Sequence, residues 1–173
     1  MQIEELPGLP GDPPYPVQLA LPGVSTFREG YVLRISPTNE ESWVGNFQKG
    51  GSYYCAFVEL HTDRLAVIAG GLGYVVDASR REVQHTFGGD IMHIIPLPSC
   101  AELLAISNTD IERHSSSHRV WRSRRIAWDG IGRAQLHGHT LHGEARHFDD
   151  SWHHFELDLT TGQHTGGAYP SEA

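Results

Sequence analysis

The sequence predicts an all-β protein, built of antiparallel meanders in an open propeller-like or sandwich arrangement behind a proline-rich arm. Three observations lead there. Short β-branched and aromatic runs alternate with Gly, Asp and Ser turn residues. No stretch sustains the amphipathic period of a helix about 11 residues long. One hairpin signature also occurs twice, as Tyr74-Val75-Val76-Asp77-Ala78-Ser79-Arg80-Arg81-Glu82-Val83 and as Phe155-Glu156-Leu157-Asp158-Leu159-Thr160-Thr161-Gly162-Gln163-His164. In each, an apolar run ends in Asp, Ser or Thr follows two residues later, and Glu or Gln begins the return. A carboxylate at such a corner accepts backbone N–H groups two or three residues on and closes the turn.

Residues 1–23 read as the arm. Pro7, Pro10, Pro13, Pro14, Pro16 and Pro22 fix φ and remove donors, which excludes a helix. Tyr15, Val17, Leu19 and Leu21 are spaced to share one side of an extended chain laid on the body. Residues 24–173 read as one β domain, because a chain of 173 residues is long enough for one well-buried core.

Strands are expected at Tyr31–Ile35, Tyr53–Leu60, Leu65–Ala69, Tyr74–Val76 and Val83–Phe87. Further ones are expected at Ile91–Leu97, Leu103–Ser107, His118–Trp128, Gln135–His137, Leu141–Phe148, Trp152–Leu159 and Gln163–Thr165. The one helical competitor is short, at Ala101–Leu104. Asp77 and Asp158 stand 81 residues apart, about two units of the 40–45 residues of a propeller blade. Residues 52–88, 91–137 and 140–167 then form three units, too few to close a ring.

The formal charge of −8 argues against a general nucleic-acid binder or an anionic-membrane binder and favours a basic partner. Protonating all twelve histidines would take that charge to +4, so solubility should worsen as the pH falls toward 6.5. Cys55 and Cys100 lie in apolar runs without a disulfide framework. The first residues, Met1-Gln2-Ile3-Glu4-Glu5-Leu6, lack the basic and apolar regions of a leader, and no apolar run approaches a membrane span of about 20 residues. A cytoplasmic protein with reduced thiols is expected.

Candidate chemistry concentrates in the last third. His137, His139 and His142, followed by His147, Asp149, Asp150, His153 and His154, offer imidazole and carboxylate ligands for zinc or iron. Gly138 and Thr140 point instead to a tight hairpin that parts His137 from His139, and the expectation is a solvated hairpin with no cofactor. No serine stands in a GxSxG elbow. Gly70-Gly71-Leu72-Gly73 leads into a strand, whereas a phosphate loop leads into a helix. The basic run Arg119-Val120-Trp121-Arg122-Ser123-Arg124-Arg125 is expected as a salt-bridged strand with Asp149 and Asp150 as its partners. Trp152, His154, Glu156 and Asp158 should share one strand face opposite His153, Phe155 and Leu157. Trp121, Arg122, Arg124, Asp149, Asp150 and Trp152 are the candidate partner-binding residues, since Trp and Arg are enriched at binding hot spots.

Ile126-Ala127-Trp128-Asp129-Gly130, Asp149-Asp150-Ser151-Trp152, Leu157-Asp158-Leu159-Thr160-Thr161-Gly162 and Gly166-Gly167-Ala168-Tyr169 resemble segments of small bacterial all-β proteins, some of them cognate immunity proteins of polymorphic toxin systems. The resemblance implies an immunity protein that occludes a toxin; the lack of a catalytic motif and the acidic charge add the expectation of a non-enzymatic protein-binding module with a basic toxin domain as its partner. It transfers no functional residue. The alternative from the residues themselves is a metal-dependent enzyme using the His-rich region 137–154.

Overall fold

The computed structural model describes residues 1–24, 28–97, 99 and 101–169. Cys100 lies outside them. The described chain is all-β, with four four-stranded sheets that follow one another along the sequence.

The first sheet contains β1 (Gln2–Glu5), β2 (Val17–Leu19), β3 (Tyr31–Ser36) and β4 (Trp43–Phe47), in the order β1-β3-β4-β2. The next three are plain meanders. The second holds β5 (Ala56–His61), β6 (Arg64–Ala69), β7 (Leu72–Asp77) and β8 (Glu82–Gly88). The third holds β9 (His93–Leu97), β10 (Glu102–Ile106), β11 (Ile111–His114) and β12 (Arg119–Arg122). The fourth holds β13 (Ile131–His137), β14 (Thr140–Arg146), β15 (Trp152–Asp158) and β16 (His164–Gly166).

Side-chain alternation along each strand decides which neighbour it packs against. In β6, Leu65, Val67 and Ala69 join Leu33, Ile35, Trp43 and Phe47 in a core between the first two sheets. The intervening Ala66 and Ile68 join Phe87, Ile91, Leu103 and Ala105 between the second and third. From β10, Leu104 and Ile106 join Leu141, Phe155 and Leu157 between the third and fourth. Inner sheets are thus apolar on both faces, and their strands read as continuous apolar runs. Among the described residues no apolar cluster joins the first sheet to the fourth, so the stack is open.

The proline-rich arm is part of the first sheet. β1 runs antiparallel to β3, and β2 runs parallel to β4. β1 and β2 therefore point the same way, and residues 6–16 must cross a face of the sheet to join them. The inner face is occupied by the second sheet, which leaves the outer one, where Val32 and Val44 are buried. Leu19 is buried, while Val17 and Leu21 pack against the first core; Tyr15 is exposed.

Both Asp corners form as the sequence indicates. The Asp77 carboxylate accepts the Arg80 N–H at 2.9 Å, and that of Asp158 accepts the N–H groups of Thr160 and Thr161 at 2.9 and 2.8 Å. They end β7 and β15, the third strands of the second and fourth sheets, two units apart. Each is also pinned by a tryptophan of the preceding sheet. Trp43 Nε1 donates to the carbonyl of Ala78, and Trp121 Nε1 to that of Leu159, both at 2.9 Å. At the matching corner of the third sheet, Ser115 Oγ replaces the carboxylate and accepts the N–H groups of Ser117 and His118.

Several expectations need correction. There are four units, and β13, expected to close the second, is hydrogen-bonded to β14 and opens the fourth. Residues 101–104 lead into strand β10, because Leu103 and Leu104 each fill a different core. The strand expected over His118–Trp128 ends at Arg122, where the Ser123 hydroxyl takes up the Ile111 N–H. β4 and β11 were not anticipated: Gly45 and Asn46 weaken the β signal of one, and Glu112, Arg113 and His114 that of the other.

Candidate functional site

Three groups of side chains stand out, and the fold accounts for each. The first lies at one end of the fourth sheet, where three connections meet. The segment after β12, the β14–β15 turn and the segment after β16 are tied by Trp128 N–H to the Arg146 carbonyl, and by the Ala168 and Tyr169 N–H groups to that of Ile126. On this frame Trp128 sits edge-on to Phe148, with ring centroids 6.0 Å apart, and tilted against Tyr169 at 5.1 Å. The Arg125 guanidinium lies 4.5 Å from the Tyr169 ring centre and 5.3 Å from that of Trp128. Its Nε and Nη2 donate to the carbonyls of Ala127 and Trp128, which fixes its plane.

Phe148 is 72% exposed at the tip of a turn. The turn is closed by His147 N–H to the Ser151 carbonyl and by Asp150 N–H to that of His147. Asp149 accepts the Ser151 N–H and hydroxyl and faces His147 Nδ1 at 3.0 Å. The bond from the Ser151 hydroxyl, then that from its N–H, holds the Asp149 carboxyl well below its usual range. Asp150 pairs with Arg146. Trp152 is half exposed beside Gly130 and Gly132. The result is a rigid aromatic platform with the carboxylates of Asp129, Asp149 and Asp150 on exposed residues of the same turns.

The second group lies on the outer face of the fourth sheet. His142 and Glu156 are direct cross-strand partners, and His154 is two residues before Glu156 on the same face. His142 Nδ1 and His154 Nε2 each stand 3.6 Å from Glu156 Oε1. One ligand atom from each of the three lies within 4.8 Å of the others. His137 meets His142 edge-on at 5.1 Å, whereas His139 falls in the two-residue turn with Gly138. Of the candidate imidazoles His137, His139 and His142, His142 is the one that stands with His154 and Glu156, and the Gly138–His139 turn parts His139 from His137 as expected. Strand pairing makes the difference, because β15 brings residues 154 and 156 opposite β14.

The third group lies between the second and third sheets, with buried carboxylates met by half-exposed arginines. Arg122 forks onto the buried Asp110, with Nε and Nη2 at 3.1 and 2.7 Å from its two oxygens. Arg119 reaches Glu112 at 3.0 Å, and His114 Nε2 meets the other Glu112 oxygen at 2.8 Å. Burial works to raise the Glu112 pKa, but the hydrogen bond and charge of His114, with Arg119, outweigh it and hold the carboxyl low. Asp90, Ser107, Asp110, Glu112, Arg119 and Arg122 line a cavity of about 200 Å³ here. His85 stacks on His114 at 5.7 Å, and among the described residues neither of its ring nitrogens has a hydrogen-bond partner.

The basic run is salt-bridged, but to Asp110 and Glu112 instead of Asp149 and Asp150, because β12 pairs with β11 and places Arg122 beside Glu112. Of the candidate partner-binding residues, Asp149, Asp150 and Trp152 come together at the platform. Trp121 is half-buried against Gly162, Arg122 is engaged by Asp110, and Arg124 is exposed beside a groove lined by Thr161–His164. Sequence reasoning missed Arg125, Trp128, Phe148 and Tyr169 as a group. The available signal was aromatic residues inside turns, where no core needs them.

The chain matches no protein-family model and shows no significant similarity to a curated protein. No helix among the described residues is long and apolar enough to cross a membrane.

Proposed function

We propose that this protein is a non-enzymatic binding module that docks a basic protein domain on the aromatic platform, in the manner of an immunity protein occluding a toxin. The observation that carries this reading is Phe148, held out to solvent at the tip of a hydrogen-bonded turn beside Trp128, Tyr169 and Arg125. Burying such an aromatic on binding stabilises a complex, and a preformed turn loses little entropy in doing so. The net charge of −8 and the carboxylates of Asp129, Asp149 and Asp150 suit a basic surface and would accelerate encounter with it.

Calorimetric titration with a basic toxin-like domain, sought among the products of neighbouring genes, tests the reading. Binding should weaken with added salt and should be lost in Phe148→Ala and Trp128→Ala. Affinity indifferent to salt would remove the steering component, and full affinity in both variants would remove the platform. The metal-dependent enzyme is the second reading, favoured by the His142, His154 and Glu156 cluster. That cluster lies on an open sheet face, an arrangement better suited to holding an ion than to enclosing a substrate.

A further inference from the structure

We infer that His142, His154 and Glu156 form a binding site for one divalent transition-metal ion of the zinc type on the outer face of the fourth sheet. Two imidazoles and a carboxylate are a donor set that zinc accepts with a position left for water. Ligand atoms of a tetrahedral ion at about 2.0–2.1 Å lie about 3.3 Å from one another. The two His–Glu separations, 3.6 Å each, are already close to that spacing. The group as a whole, within 4.8 Å, needs only side-chain rotation to close around an ion.

The backbone fixes the positions from which these side chains reach. The His142–Glu156 register lies inside a ladder of seven consecutive pairs running from Thr140↔Asp158 to Arg146↔Trp152. Leu141, Phe155 and Leu157 anchor the same strands in the core from the opposite face. The His142 and His154 rings are stacked 5.7 Å apart, so both point outward from neighbouring strands. An ion there would neutralise Glu156 and cross-link β14 to β15.

The inference is independent of the platform reading, since it concerns other residues and a different ligand. The test is titration of untagged, chelator-washed protein with Zn²⁺, followed by calorimetry and by competition with a chromophoric chelator. The expected result is one ion per chain. Losing a partner beyond the ligands alone weakens a metal site about 10–100-fold, so His142→Ala and His154→Ala should each cost at least that. Glu156→Gln, which keeps the size of the side chain, should weaken binding too, while His139→Ala should not. Loss of the native circular dichroism spectrum identifies any variant that has lost its fold, and Glu156→Gln then decides. Absence of uptake, or unchanged affinity in the His142→Ala, His154→Ala and Glu156→Gln variants, would overturn the inference.

Discussion

Replacing His85 with Phe should make the protein less sensitive to acid. The imidazole is packed against Phe87 and His114, with centroids 5.8 and 5.7 Å away, and both of its nitrogens are buried without partners among the described residues. Burial, reinforced by the nearby His114 and His118, lowers its pKa from 6.5 to about 4. The unfolded chain therefore takes up this proton first. Stability is unaffected above about pH 6.5, declines as the pH falls through the window between the two values, and has lost the whole contribution below about pH 4. At about 1.4 kcal/mol per pH unit the ceiling is about 3 kcal/mol, and the ring's partial access to water reduces it to about 1–2 kcal/mol. Urea unfolding of both proteins at several pH values between 4 and 7.5 measures the difference. The variant's advantage should grow steadily as the pH falls. A constant difference across that window would refute the reasoning, because a packing effect alone has no pH dependence.

Two further substitutions probe the corners and the ion pairs between the second and third sheets. Arg81 stands at φ +60° in the Asp77 corner, where the Asp158 corner has Gly162 at +72°; Arg81→Gly should raise stability by about 0.5–1 kcal/mol in chemical denaturation, and a loss would show that the side chain is held for another reason. Arg122→Ala strips the buried Asp110 of its forked partner, and because Arg122 is itself half exposed the cost should be about 1–3 kcal/mol, seen as a lower unfolding midpoint.

The inner architecture was legible because burial on both faces leaves a direct trace. Leu65-Ala66-Val67-Ile68-Ala69 is apolar throughout, and the structure sends its alternate residues into two cores. Trp152-His153-His154-Phe155-Glu156-Leu157-Asp158 alternates, and its strand lies in a sheet covered on one side only. β11 was illegible for the opposite reason. Its Glu112 and His114 are buried, and what makes that tolerable is Arg119 and Arg122 on the next strand, a pairing that only the register reveals. The candidate sites divide in the same way. The Asp149–Trp152 part of the platform is contiguous in sequence, so its residues can be named together from the sequence. Arg125, Trp128 and Tyr169 join it through backbone bonds between distant segments, and Glu156 joins the imidazoles through cross-strand pairing.

The two ends of the stack explain why chemistry gathers on the fourth sheet. An open stack of β units has two terminal faces, and an exposed apolar face at either end would recruit another copy. At the first sheet the crossover of residues 6–16 closes that face. It is tied to Glu29 by the Leu9 N–H, and Asn46, on the same face as Val32 and Val44, is satisfied by Gly30, Gln18 and the Arg28 carbonyl. Among the described residues nothing covers the fourth sheet in this way, and it ends the stack with polar side chains instead: His137, His142, Glu144, Arg146, His154 and Glu156. One solution to the same physical problem uses up its surface in covering the core. The other leaves a firmly registered sheet face open to water, where imidazoles and carboxylates stand at fixed spacings and an aromatic platform occupies the adjoining loops. The residues that stop the stack from growing are thereby the ones free to meet an ion.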